Sequence, residues 1–159
     1  MEEHIKNLLN NEIEYNQILN DCKNALQYPL LNVKRDSIPK DMSKYYGKWV
    51  KGWTDNFNWI NYGLIYNNEV IPISLQRHPS TLKFLNGFNK KIFMAGYSIL
   101  KAKSGIPLHR DQYIPEKYIT NDNVCHIGLF VPDKCFLKVN NKIYKHNNRK
   151  FITFNDSYE

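Results

Sequence analysis

Between Phe93 and Phe154 the chain reads as a succession of short apolar runs: Phe93–Leu100, Cys125–Val131, Phe136–Val139, Lys142–Tyr144 and Phe151–Phe154. Turns carrying Asn, Asp, Gly or Pro separate them. Each run is too short for a stable helix, and several are rich in aromatic and β-branched residues, as strands are. This rhythm commits the second half of the chain to β-structure. The first half reads differently. From Glu2 to about Gln27, apolar residues fall at Ile5, Leu8, Leu9, Ile13, Ile18, Leu19, Cys22 and Leu26, in steps of three and four. That spacing predicts one amphipathic helix, stopped near Tyr28-Pro29. The two halves together predict an α+β fold with a β-sandwich or jelly-roll core.

Between these regions, residues 30–56 read as loop-rich, with Tyr45, Tyr46, Trp49 and Trp53 as rim or core aromatics. Trp59 to Tyr66 is a predicted strand, Asn67-Asn68 a tight turn, and Pro79 to Leu85 a short helix. That helix has Pro in its first turn and Gly87 just past its end. No repeat, low-complexity tract or linker divides the chain, so residues 1–159 are expected to form one domain.

Chemistry concentrates after the turn Gly105-Ile106-Pro107. It is followed by Leu108-His109-Arg110-Asp111, in which an imidazole and a carboxylate stand two residues apart. In an extended segment such side chains point the same way, so His109 and Asp111 can reach one point. They make two thirds of the facial triad that holds non-haem Fe(II). Ser98 on the preceding strand and His126 on the next can supply hydrogen bonds to an oxo-acid bound beside the metal. Taken singly, each of these residues has an ordinary structural explanation. Their order is what carries the reading.

The 159 residues carry a formal net charge of +7, which favours an anionic partner. The basic residues are scattered, and no run resembles a nucleic-acid-binding arm; nucleic acid is not the expected partner. Three cysteines, Cys22, Cys125 and Cys135, form no paired motif, which argues against a disulfide framework and for a reducing compartment. The N-terminus lacks the pattern of a secretion signal, and no apolar run is long enough to span a membrane. A cytoplasmic location is expected. Oligomeric state is not legible.

From Arg77-His78-Pro79-Ser80-Thr81 to Glu159 the sequence resembles the aspartyl/asparaginyl β-hydroxylase family, which includes lipid A hydroxylase-like members. The family's Pro-x-Thr helix start looks like Pro79-Ser80-Thr81, and its strand with a cosubstrate-binding serine looks like Tyr97-Ser98-Ile99-Leu100. Its metal-binding histidine resembles His109, with the carboxylate of some members at Asp111. Its His-Leu-Gly-Leu strand is similar to His126-Ile127-Gly128-Leu129, followed by Pro132 and Cys135. Its Phe-Asp-Asp-Ser-Phe-Glu stretch looks like Phe154-Asn155-Asp156-Ser157-Tyr158-Glu159.

The resemblance implies a double-stranded β-helix dioxygenase that uses Fe(II) and 2-oxoglutarate. His109 and Asp111 would be the catalytic metal ligands, Ser98 and His126 the cosubstrate-binding residues. It implies a protein side chain or a small molecule as substrate.

Two departures qualify these expectations. The family's second metal histidine comes directly after the stretch that here ends at Glu159, and a further strand follows it. The expectation is therefore a β core from about residue 77 that lacks its last strand, in a chain that is incomplete or inactive as it stands. A truncated chain, a gene fragment and a natural pseudoenzyme are the alternatives. Val124 also occupies the place of a cosubstrate-binding arginine, with Arg110 or Lys117 as replacement cations. The competing reading is a non-catalytic jelly-roll binding module, a pseudo-oxygenase, for an anionic partner.

Overall fold

A computed structural model of the chain describes residues 1–31, 43–51, 58–107 and 124–155. The fold is α+β, as the helical pattern of the first half and the strand pattern of the second predict. Residues divide into two compact units, 16–107 and 1–15 with 108–159. Among the described residues no helix is long and apolar enough to cross a membrane.

The predicted N-terminal helix is in fact two, α1 (Glu2–Asn10) and α2 (Glu12–Ala25). Asn11 breaks them. Its backbone is extended, at φ −93 and ψ 100, and its side-chain oxygen accepts the Glu14 N–H at 3.2 Å. An Asn so placed satisfies a donor that the helix start leaves open, and Glu12 and Glu14 complement the positive end of α2. The break also resets the apolar face. Tyr15, Ile18, Asp21 and Ala25 are buried, whereas Ile13, expected on the inner face, is 72% exposed.

The larger unit holds a five-stranded sheet. Strand β1 (Leu30–Leu31) runs parallel to β2 (Trp49–Lys51), and β2 is antiparallel to β3 (Trp59–Tyr66). These first two strands fall in the stretch expected to be loop. The reason is Trp49, whose ring is 2% exposed and whose indole N–H donates to the Ala25 carbonyl at 2.7 Å. A short 3-10 turn, Ser43–Tyr45, precedes β2.

Strand β3 matches its expected bounds. Asn67 and Asn68 then turn the chain at φ 51 and 66, left-handed values that Asn tolerates. The short β4 (Glu69–Val70) follows. On its other flank β3 pairs with β5 (Met94–Leu100), Asn61 standing opposite Ser98.

Helices α3 (Pro72–Arg77) and α4 (Pro79–Asn86) lie between β4 and β5, each with Pro in the first turn. Only α4 was legible in the sequence. The Asp21 carboxylate accepts the Thr81 N–H at 2.8 Å and the Thr81 hydroxyl at 3.1 Å. The Thr81 hydroxyl also meets the Tyr97 hydroxyl at 2.7 Å. A carboxylate of α2 thus caps α4 from outside, which gives Pro79-Ser80-Thr81 a structural role. His78 is sealed beside this network, its ring edge-on to Tyr62, Tyr97 and Tyr28. Its Nδ1 donates to the Asp21 carbonyl at 3.2 Å.

In the second unit, β6 (Val124–Ile127) pairs antiparallel with β9 (Phe151–Phe154), and β7 (Phe136–Val139) with β8 (Lys142–Lys145). Three of these strands fall where expected, within a residue. Strand β6 is shorter than the predicted run to Val131. From Gly128 onward the backbone bonds instead to the turn after β8: Gly128 N–H to Lys150, Arg149 N–H to Gly128, and Val131 N–H to the Asn148 side chain at 2.6 Å.

Candidate functional site

Ser98 sits near the end of β5, whose alternation buries Tyr97 and turns Ser98 to solvent. Its hydroxyl oxygen accepts the Trp59 indole N–H at 2.9 Å, diagonally across the β3–β5 pair. That bond occupies a lone pair and leaves the hydroxyl proton available to an incoming acceptor. In the sequence Trp59 marks only the start of a strand. Its part in orienting Ser98 needs the register, which single-strand patterning does not supply.

His126 is the third residue of β6, opposite Ile152, with Val124 and Phe154 on the same face. The Phe154 ring meets it edge to face at 4.9 Å, nearly perpendicular. Its Nδ1 lies 3.2 Å from Nε2 of His146, and the two rings are nearly parallel, at 25°, with centroids 5.5 Å apart. His146 follows β8 directly and extends the hairpin by one bond, its N–H donating to the Cys135 carbonyl. Nothing in the sequence singles it out. A histidine twenty positions away announces nothing until the two segments close on each other.

Gly128 lets them close. A β-carbon there would collide with the Asn147 carbonyl oxygen and lie 2.8 Å from the Val131 side chain. Without a side chain at 128, the turn from His146 to Arg149 rests directly on the end of β6. Further contacts hold this end of the unit. The Tyr15 hydroxyl donates to the Gly128 carbonyl at 2.8 Å. The Arg149 guanidinium donates to the Leu9 carbonyl at 2.7 Å and lies over the Tyr15 ring.

Desolvation pushes the pKa of His126 down to about 4, and the neighbouring His146 adds to the same direction. Burial lowers His146 as well. The His126 ring is closely surrounded by protein yet keeps exposed surface, so water offsets part of that penalty. The direction is what matters: both imidazoles are neutral at pH 7. Burial pushes the adjacent Cys125 thiol up to about 11, which leaves it protonated and unreactive.

His109 and Asp111 lie outside the described residues, as do the replacement cations Arg110 and Lys117. Among the described residues no group of three or more His, Cys, Asp or Glu side chains is arranged to hold a metal. The donor types suit the division of roles expected for them. One imidazole and one carboxylate at 109 and 111 are oxygen and nitrogen ligands appropriate to Fe(II). His126 has its Nδ1 engaged by a second imidazole, and Ser98 has its oxygen engaged by an indole. Val124 shares the face of His126 and supplies no charge.

In comparison with known proteins, the model of the aspartyl/asparaginyl beta-hydroxylase family matches residues 12–159. The motif resemblance begins only at Arg77, so the match extends it through most of the N-terminal half. No curated protein and no solved structure gives a significant match.

Proposed function

The chain belongs to the aspartyl/asparaginyl beta-hydroxylase family, and we propose that it is an Fe(II)- and 2-oxoglutarate-dependent hydroxylase acting on a protein side chain or a small molecule. The observation that carries this reading is the family match running from α2 to the final residues, across every motif named above. The fold that accompanies it is a double-stranded β-helix, with residues 1–159 read as one oxygenase-like domain, and the cytoplasm is the compartment proposed.

His109 and Asp111 would hold the iron. With 2-oxoglutarate and oxygen, bound iron supplies the oxidising power to hydroxylate a C–H bond. The chain's own residues need not move a proton for this chemistry; they bind and orient. Ser98, its oxygen occupied by Trp59, donates its hydroxyl proton to a carboxylate oxygen of the cosubstrate. His126, neutral and clamped between His146 and Phe154, donates from its outer nitrogen. A neutral donor grips a carboxylate less firmly than a guanidinium fork does.

That weakness, with Val124 where the family has a cation, favours the second reading: a non-catalytic binding module for an anionic partner, helped by the net charge of +7. Titration with Co(II), a spectroscopic surrogate for Fe(II), with and without 2-oxoglutarate separates the two. The hydroxylase reading expects saturable binding, tightened by 2-oxoglutarate and abolished by His109→Ala. Binding or 2-oxoglutarate turnover that survives His109→Ala overturns the ligand assignment, and absence of any binding favours the module.

A further inference from the structure

We propose that His146 is a positioning residue that holds His126 in the tautomer with its proton on Nε2, so that His126 presents a donor to its ligand. The proposal deepens the reading of His126 as a cosubstrate-binding residue and rests on it.

The argument is one of counting protons. At 3.2 Å, one of the two facing nitrogens, Nδ1 of His126 or Nε2 of His146, must carry the hydrogen. Two bare lone pairs would repel, and so would two N–H groups. The far nitrogen of His146, Nδ1, is buried and has no hydrogen-bond partner among the described residues. If His126 were the donor, neutral His146 would have to carry its proton on that buried Nδ1, leaving an N–H group with no acceptor. Orphaned buried N–H groups are rarer in folded proteins than under-satisfied acceptors. The reverse arrangement buries only a lone pair. A doubly protonated His146 is disfavoured by the same burial. His146 therefore donates through Nε2, His126 accepts at Nδ1, and the single proton of neutral His126 sits on Nε2.

The surroundings make this a fixed arrangement. Phe154 stands perpendicular to the His126 ring and resists its rotation. The turn carrying His146 is pinned by Asn148, which accepts from the Val131 N–H and donates to the Val131 carbonyl at 3.3 Å. Gly128 allows that turn its close approach. A ring that could flip or exchange tautomers would offer a carboxylate a lone pair part of the time. A fixed Nε2–H always offers a proton.

Long-range proton–nitrogen NMR on the chain with labelled histidine reads the tautomer directly. At pH 7.5 the wild type should show His126 protonated at Nε2 and bare at Nδ1. His146→Phe keeps an aromatic ring at this position but removes the donor, and should give a mixture of tautomers. His146→Gln, whose amide can donate to Nδ1, should restore Nε2–H. A wild-type spectrum with the proton on Nδ1, or a His146→Phe spectrum indistinguishable from wild type, overturns the proposal. The wild-type spectrum decides the tautomer by itself should a variant fail to fold. A second arm measures 2-oxoglutarate affinity in the presence of Co(II). His146→Phe should weaken it roughly tenfold, with recovery in His146→Gln. No 2-oxoglutarate binding by a wild type whose tautomer is as stated would sink the cosubstrate reading and leave the positioning role standing.

Discussion

The carbonyl oxygen of Asn147 occupies the space that a β-carbon on Gly128 would need. The glycine of the His126-Ile127-Gly128 motif is thus a contact surface for the turn that carries His146. We expect Gly128→Ala to destabilise the fold by about 1–3 kcal/mol, the usual cost of forcing atoms into a packed site. Because backbone must give way, the His126–His146 pair should separate as well. Urea denaturation measures the first effect, and the His126 NMR tautomer the second. A variant as stable as the wild type would show that the turn can retreat freely.

The cap that Asp21 places on α4 predicts a graded response. Asp21→Ala strips the buried Thr81 N–H and hydroxyl of their shared acceptor, at a cost of about 1–3 kcal/mol. Asp21→Asn keeps one carbonyl oxygen in place and should lose distinctly less. Equal losses in urea denaturation would mean that the carboxylate charge, rather than its acceptor geometry, carries the interaction.

Acid should weaken the larger unit through His78. Burial lowers its folded pKa below the ordinary 6.5, and protonating it would put a proton on the sealed Nε2, which has no partner among the described residues. The unfolded chain then binds the proton first. The stabilisation is complete above about pH 6.5 and is lost as pH falls from there toward the lowered folded value. His126 and His146 act in the same direction. Below pH 6.5 stability should fall, with a slope that does not exceed about 1.4 kcal/mol per pH unit for the His78 proton. His78→Phe, which keeps an aromatic ring among Tyr28, Tyr62 and Tyr97, should flatten that slope. An unaltered slope would assign the effect to other groups.

Ser98 should matter for ligand and little for stability, since it faces solvent on β5. We expect Ser98→Ala to weaken 2-oxoglutarate binding several-fold, in line with loss of one hydrogen bond to a charged group, while the urea midpoint stays close to wild type. Trp59 fluorescence is the natural readout, because its indole N–H touches the Ser98 oxygen. A wild-type affinity in the alanine variant would remove Ser98 from the cosubstrate site.

Local periodicity determined a good deal of this protein. The α+β class, strands Trp59–Tyr66 and Phe151–Phe154, the Asn67-Asn68 turn and the helix opening at Pro79 all follow from neighbours within four residues. So do the motifs that point to the family, which the match over residues 12–159 then establishes. What periodicity missed depends on distant partners. Asn11 ends one helix by capping the next, Leu30–Leu31 becomes a strand only against Trp49–Lys51, and Asp21 meets Thr81 across sixty positions. His126 looked like a solitary histidine on a strand. Only tertiary structure gave it His146 as a partner, because that contact needs a glycine at 128 and a hairpin folded back over it, and no spacing in the sequence encodes the closing of that distance.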